Sequence, residues 1–272
     1  MLPEESGDFT EIIPSLSGNW VKLVSPHEVG LLEGEMEQQP MIERVVARGI
    51  VKAYGSMVAL RGVDVTLLAA ELTLIEGANG SGKSTLLGIL GTVIRPNAGE
   101  VHYEPLGDQR SEVRAALGWL SHETLAYPDL SGRQNIELVA RLHGLDTEET
   151  WAGAQERFEL GAFARRPVRT CSRGQRQRIA LARALIHQPS LVLLDEPTAG
   201  LDRAGVNQLV RVIGEEVARG AIVAVVSHEP SVFGELTRAR VMLDRGRVVR
   251  KPASDVSRET ASQETHGRPG IT

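Results

Sequence analysis

The stretch GANGSGKST, Gly77 to Thr85, follows directly on the apolar run LTLIEG and leads into Leu86, Ile89, Leu90 and Val93 at helical spacing. A strand that breaks into glycines and then opens a helix brings several backbone N–H groups together at the positive end of that helix, where a phosphate binds. Gly77, Gly80 and Gly82 let the backbone turn and approach closely, with Asn79 and Ser81 between them. Lys83 is placed to reach β and γ phosphate oxygens, and Ser84, followed by Thr85, offers a hydroxyl to Mg²⁺. The alternative is a glycine-rich turn that happens to hold a lysine, and the strand before it and the helix after it argue against that.

Two more short apolar runs, LVLLDE (191–196) and AIVAVVSH (221–228), lack a polar alternate. Strands covered on both faces of a parallel sheet read this way. Val206, Leu209, Val210, Ile213 and Val217 recur at helical spacing between them. The alternation predicts an α/β doubly wound core. Residues from about 123 to 178, including SGRQNIELVARLHGL and TEETWAGAQERFEL, read instead as an inserted helical subdomain. The expected organisation is an acidic, loosely ordered extension over 1–40, one domain over 41–250, and a disordered polar tail over 251–272. EIIPSLSGNWVKLV, inside the extension, is apolar enough to dock.

Charge removes several function classes. Residues 1–40 hold eight acidic residues against Lys22 alone, a charge of −7, which leaves 41–250 at +2. TCSRGQRQRIALARAL (170–185) is rich in arginine, but 26 of the 30 basic residues of the chain are Arg, so that stretch is no special basic field. No nucleic-acid partner is expected. The single Cys171 cannot form an internal disulfide, which fits a reducing compartment. No secretory signal and no apolar run near the ~20 residues of a spanning helix is read, so work at a membrane needs a partner.

LVLLDEP ends a buried strand on two acids. An Asp there lies where α/β sheets bind ligands, so Asp195 is a candidate for holding Mg²⁺ through water, and Glu196 for polarising an attacking water. A strand-end acidic pair that caps a helix is the competing reading.

GANGSGKST, CSRGQRQR ahead of a helix, LVLLDEPTAGLD, and VVSH after one further strand resemble, in order and spacing, the ATP-binding cassette ATPases over about 45–250. The resemblance implies a P-loop NTPase fold with a parallel-sheet core, an antiparallel N-terminal β subdomain and an inserted helical subdomain. It implies ATP and Mg²⁺ as ligands, and a homodimer or paired cassette working on an integral membrane permease subunit at the cytoplasmic face of the membrane. In that family the segment matching Ser172, Gly174 and Gln175 contacts the γ-phosphate of ATP held by the opposite subunit. Tyr54 matches the aromatic that stacks on adenine, against a plain core role. Asp202 matches a loop that communicates across the dimer, with helix capping as alternative or addition. His228 matches the histidine that touches the γ-phosphate, against a structural role. Arg178 and Arg183 are expected at solvated helix positions.

Two positions depart from the family pattern. Arg173 stands at the first of two signature glycines, with Cys171 in place of the usual leucine. His122 stands where the family has a glutamine that links Mg²⁺ and water to the helical subdomain, and an imidazole can titrate near neutral pH. LSHETLAYPDLSGRQN with VRTCSRGQRQRIALARAL further resembles the ATP-binding subunit of the haem exporter of cytochrome c maturation. Drug, lipid or polysaccharide exporters of similar build are the alternatives. A soluble cassette ATPase such as an iron–sulfur assembly factor is the rival from another class, and a nucleoside kinase leaves SRGQ, AGLD and His228 unexplained.

Overall fold

The computed structural model describes residues 12–14, 20–22, 41–107, 109–122 and 125–249. Strands β1 (Ile12–Pro14) and β2 (Trp20–Lys22) pair antiparallel, as a unit of their own within the acidic extension. The rest of that extension and the expected tail from Lys251 lie outside the described residues.

The second unit opens with β3 (Arg44–Tyr54) and β4 (Met57–Leu68), which with β6 (Ala98–Glu104) form a three-stranded antiparallel sheet ordered β4-β3-β6. β5 (Leu72–Glu76), β7 (Leu117–Leu120), β8 (Leu191–Asp195), β9 (Ile222–Val226), β10 (Thr237–Asp244) and β11 (Arg247–Val249) form the main sheet, ordered β11-β10-β5-β9-β8-β7. All its neighbours are parallel except β10 and β11, which form a hairpin.

The central strands show why their sequences lack a polar alternate. Side chains of a strand point alternately to opposite faces. Ile222, Ala224 and Val226 of β9, with Leu191 and Leu193 of β8, enter one core. Val223, Val225, Val192 and Leu194 enter a second core on the other face. The first core is closed by α1 (Lys83–Leu90) and the antiparallel sheet, through Leu86, Leu90, Val45 and Leu60. α1 is shorter than its sequence pattern predicts, because Gly91 caps it, and Val93 lies beyond it and exposed. A short α2 (Arg110–Ala115) adds Val113 to this core.

The second core is closed by α5 (Arg173–Leu185) and α6 (Arg203–Ala218). Between β7 and α5 run α3 (Gly132–Leu142), α4 (Thr147–Arg157) and two 3-10 turns. Ser131 starts α3 with a capping box to Gln134, and Asp146 caps α4, each cap worth about 1 kcal/mol. α5 continues past residue 178 to Leu185 and returns the chain to β8. Arg157, at the end of α4, pairs with Glu216 of α6 at 2.7 Å, and Arg219 pairs with the same carboxylate. Glu216 is 1% exposed, and these two guanidinium groups pair with its buried carboxylate.

Where α3 ends, the ring of His143 stacks on that of His187, centroids 4.0 Å apart. His187 is 3% exposed. A carbonyl only accepts, so Nε2–H donates to the Leu117 carbonyl at 3.1 Å, and in the neutral ring Nδ1 then carries no proton. Nδ1 is buried with no hydrogen-bond partner. Burial pushes the His187 imidazole down to about 4, helped by His143 and Arg219 nearby, and burial lowers His143 as well.

Candidate active site

The C-terminal ends of β5, β7, β8 and β9 converge on one side of the main sheet, the position at which open α/β sheets bind ligands. After β5 the chain passes through Gly77 and Gly82, both at positive φ, 145° and 105°. Neither has room for a side chain. A Cβ on Gly77 would sit 2.2 Å from the Leu243 carbonyl oxygen, and one on Gly82 would sit 2.7 Å from that of Ala59. The loop is therefore pressed between β10 and the start of β4, and Gly246 N–H fastens it further by donating to Ser81 O at 3.0 Å. Lys83, 6% exposed, folds back so that Nζ donates to Gly77 O at 2.8 Å and Ala78 O at 3.1 Å. A lysine held among carbonyls at the mouth of a ring of amides is positioned to exchange those acceptors for phosphate oxygens.

A cleft of about 480 Å³ opens over this loop. Asn79, Gly80, Gly82, Lys83, Ser84 and Thr85 line its floor. Asp195, Glu196, Val226 and His228 line one side, and His122 lies at the rim, exposed. Tyr54, Met57, Val58 and Ala59, from the β3–β4 hairpin, form the opposite wall. Tyr54 is 45% exposed at the last position of β3, which removes the core reading of this residue. Lys52 Nζ stands 5.1 Å from its ring centroid, so one face of the ring is already occupied by a cation. Gly77 and Ser81 belong to the loop but not to the cleft lining; Ser81 is buried and its Oγ has no hydrogen-bond partner.

Asp195 is 5% exposed at the end of β8. Glu196 follows in the left-handed region at φ 51°, a strained conformation costing about 1–3 kcal/mol for a residue with a side chain. Its N–H donates to Val226 O at 2.9 Å, and its Oε2 accepts the His228 N–H at 3.1 Å. Oε1 lies 3.3 Å from His228 Nε2 but is buried without a hydrogen bond of its own. The kink thus turns the carboxylate across to the end of β9, where acid and imidazole meet inside the cleft. The helix-capping alternative for the Asp195–Glu196 pair has no support here, because α6 begins only at Arg203 and its cap is Asp202.

Ser172, Gly174, Gln175 and Asp202 do not line the cleft. Ser172 caps α5, accepting from Gln175 N–H at 3.2 Å while Gln175 Oε1 accepts from Ser172 N–H at 3.0 Å. Gly174 is needed because a Cβ there would meet Gly200 O at 2.6 Å. Asp202 caps α6 by accepting from Gly205 N–H at 2.8 Å, so its capping role is present.

Two arginines placed at solvated positions are not solvated. Arg178 is four-fifths buried, 2.7 Å from Glu159 and 3.7 Å from Asp202. Arg183 donates to Leu125 O at 2.5 Å beside the ring of Tyr127, and burial lowers its pKa. The helix carrying them is sandwiched between α3 and the main sheet, so the stripe that charge alone suggests as surface is covered.

Sequence reasoning also passes over two buried amides. Gln177 donates to Pro197 O at 3.0 Å, tying α5 to the chain just after Glu196. Asn135, wholly buried, accepts from Tyr127 N–H at 2.8 Å and donates to Tyr127 O and Ser131 O. Neither differs in sequence from a surface amide on a helix, and only the fold shows its partners.

Strand-end acids, a glycine loop opening a helix and an acid–imidazole contact in one cleft define a P-loop ATPase domain. The ABC transporter family model matches residues 60–199, and this chain belongs to that family. The daunorubicin resistance ATP-binding protein DrrA3 of Streptomyces coeruleorubidus is 34% identical over 216 residues, 78% of this chain and 68% of that protein. The macrolide export ATP-binding/permease protein MacB of Rhodopseudomonas palustris is 32% identical over 234 residues, 80% of this chain but 35% of that protein. The chain thus spans about a third of such fused exporters. Among solved structures, a dimeric bacterial ABC transporter cassette, MJ0796, superposes with a TM-score of 0.69 at 28% identity, covering 76% of this chain and 97% of that one. The same cassette in a post-hydrolysis state with ADP and Pi gives 0.71.

Proposed function

We propose that this chain is the ATPase subunit of an exporter: two copies sandwich ATP, close, hydrolyse it and reopen, driving a separate integral membrane subunit. The observation that carries the reading is the separation described above. The cleft gathers Lys83, Ser84, Asp195, Glu196, His228 and His122, whereas Ser172, Gly174, Gln175 and Asp202 stand outside it on the capped ends of α5 and α6. One chain then holds two halves of a site, and a second copy supplies what each cleft lacks. The dimeric state of the related cassette supports this.

In the cleft, the loop amides and Lys83 hold the phosphates, and Tyr54 presents a ring face to the base. Ser84 and Asp195 offer the hydroxyl and carboxylate oxygens that suit Mg²⁺, which supplies charge neutralisation on the β and γ phosphates when bound. Glu196 polarises the attacking water and accepts its proton as the new oxygen–phosphorus bond forms and the bond to the β-phosphate oxygen breaks. His228 holds that carboxylate in place and reaches the γ-phosphate. His122 senses this chemistry from the rim, and the helices between β7 and β8 carry the change to the membrane subunit.

No helix among the described residues is long and apolar enough to cross a membrane. The transport reading itself, and not that absence, puts the chain beside a permease on the cytoplasmic face. The names of its relatives, with daunorubicin resistance and macrolide export among them, favour a small organic cargo. Haem export for cytochrome c maturation is the second reading and rests on the two phrases around His122 and Ser172 alone.

The test is affinity capture of tagged Glu196→Gln protein with ATP in mild detergent from its native host, with identification of what accompanies it. A permease of a drug-type exporter supports the reading. Cytochrome c maturation membrane proteins would shift the cargo to haem, and soluble partners alone would refute transport. In purified protein Glu196→Gln should lower turnover about 10²–10⁴-fold, and an unaltered rate would refute the role given to Glu196.

A further inference from the structure

We propose that Arg173 acts across the dimer as a charged contact to the terminal phosphate of the nucleotide held by a second copy of this chain. This inference rests on the two-copy reading above, and adds to it a residue where the family pattern has glycine.

The cleft is short of positive charge. Among the residues lining it Lys83 is the one lysine or arginine, against the two carboxylates Asp195 and Glu196. A nucleoside triphosphate brings several further negative charges. Phosphoryl transfer depends on stabilising charge that moves onto the phosphate oxygens, and a cation supplied from another subunit is a recurrent solution.

The arginines of the α5 segment are not equivalent. Arg176 donates to Cys171 O at 2.8 Å, Arg178 is held by Glu159, and Arg183 is committed to Leu125 O. Arg173 is exposed, and among the described residues it has no ion pair or hydrogen-bonded side-chain partner. Its stem is nevertheless placed: Gly200 sits at φ 78°, and a Cβ there would lie 2.5 Å from Cγ and 2.8 Å from Cδ of Arg173. The aliphatic part is laid over the loop that leads to Asp202, so less rotamer freedom remains to be lost when the guanidinium binds. The neighbouring Gly174 is consumed by the close approach to Gly200 O. An arginine with an anchored stem and an uncommitted head at the tip of α5 is suited to a phosphate presented by a partner.

The test compares full-length Glu196→Gln with the same protein carrying Arg173→Gly or Arg173→Lys. ATP-dependent dimerisation is measured by sedimentation over a concentration series, with ADP as control, and ATP binding to the monomer is titrated separately. Arg173→Gly is expected to weaken the ATP-bound dimer about tenfold or more while leaving monomer ATP binding unchanged. Arg173→Lys should restore most of the loss, and the difference should shrink at high salt. A glycine variant that dimerises as tightly as its parent overturns the assignment of Arg173 and leaves the two-copy site standing. A Glu196→Gln parent that binds ATP but never dimerises overturns the two-copy reading, and this inference with it.

Discussion

Lowering the pH from 7 to 4 should cost this protein about 3 kcal/mol through one side chain, His187. In the unfolded chain a histidine titrates near 6.5, whereas in the fold burial holds His187 at about 4. Between those values the unfolded state binds a proton that the native state refuses, so stability rises with pH. The contribution is complete above about 6.5 and is lost as pH falls through about 4. A difference of about 2.5 pH units is worth ~3.4 kcal/mol in full, of which about 2 kcal/mol is lost by pH 5. The cause is visible in the geometry: a proton on Nδ1 would have no acceptor, beside the stacked ring of His143 and within the field of Arg219. For a domain of this size the loss corresponds to roughly 10 °C in Tm. The assay is urea unfolding followed by tryptophan fluorescence from pH 7.5 to 4, comparing the natural chain with His187→Gln. Glutamine can keep an N–H for Leu117 O and cannot charge. The variant should be slightly less stable at pH 7 and markedly less acid-sensitive. Parallel stability curves for the two proteins across this range would refute the reasoning.

Lys83→Ala should abolish productive ATP binding, checked by titration with a fluorescent nucleotide; retained affinity would remove Lys83 from the phosphate site. Turnover should differ between the natural chain and His122→Gln while nucleotide affinity stays the same, and equal turnover would mean that His122 takes no part in the cycle. Gly77→Ala should destabilise the fold or prevent the loop from closing, because the added carbon falls 2.2 Å from Leu243 O in a backbone conformation alanine rarely adopts. A Gly77→Ala protein with unchanged melting temperature and nucleotide affinity would contradict that packing.

The parallel sheet and the phosphate loop were legible because each writes a local signature. β5, β8 and β9 lack polar alternation for the plain reason that both their faces are covered, and Gly77 and Gly82 of the loop are dictated by oxygens of β10 and β4 only ångströms away. Asp195 and Glu196 could be proposed because they end a buried strand, whereas Tyr54 and His228 were proposed only through the resemblance to the cassette ATPases. What could not be read was which polar side chains are buried. Arg183, Gln177, Asn135 and His187 sit on amphipathic stretches that are exposed in one packing and covered in another, and the covering elements are distant in sequence. The strained φ of Glu196, which aims its carboxylate, likewise depends on the Val226 and His228 backbone rather than on any neighbour in the chain.

Asn135 sets a leash. Its amide clamps Tyr127 to the first turn of α3, so any tilt of α3 carries Tyr127 with it. Only residues 123–126 separate Tyr127 from His122 at the rim of the cleft. Five Cα steps reach at most about 18 Å fully extended. On the transport reading, a swing of the helices between β7 and β8 is bounded by that length, beyond which His122 must follow. A substitution that breaks the Asn135 clamp would lengthen that tether without touching the nucleotide cleft, and would loosen the mechanical timing between the two.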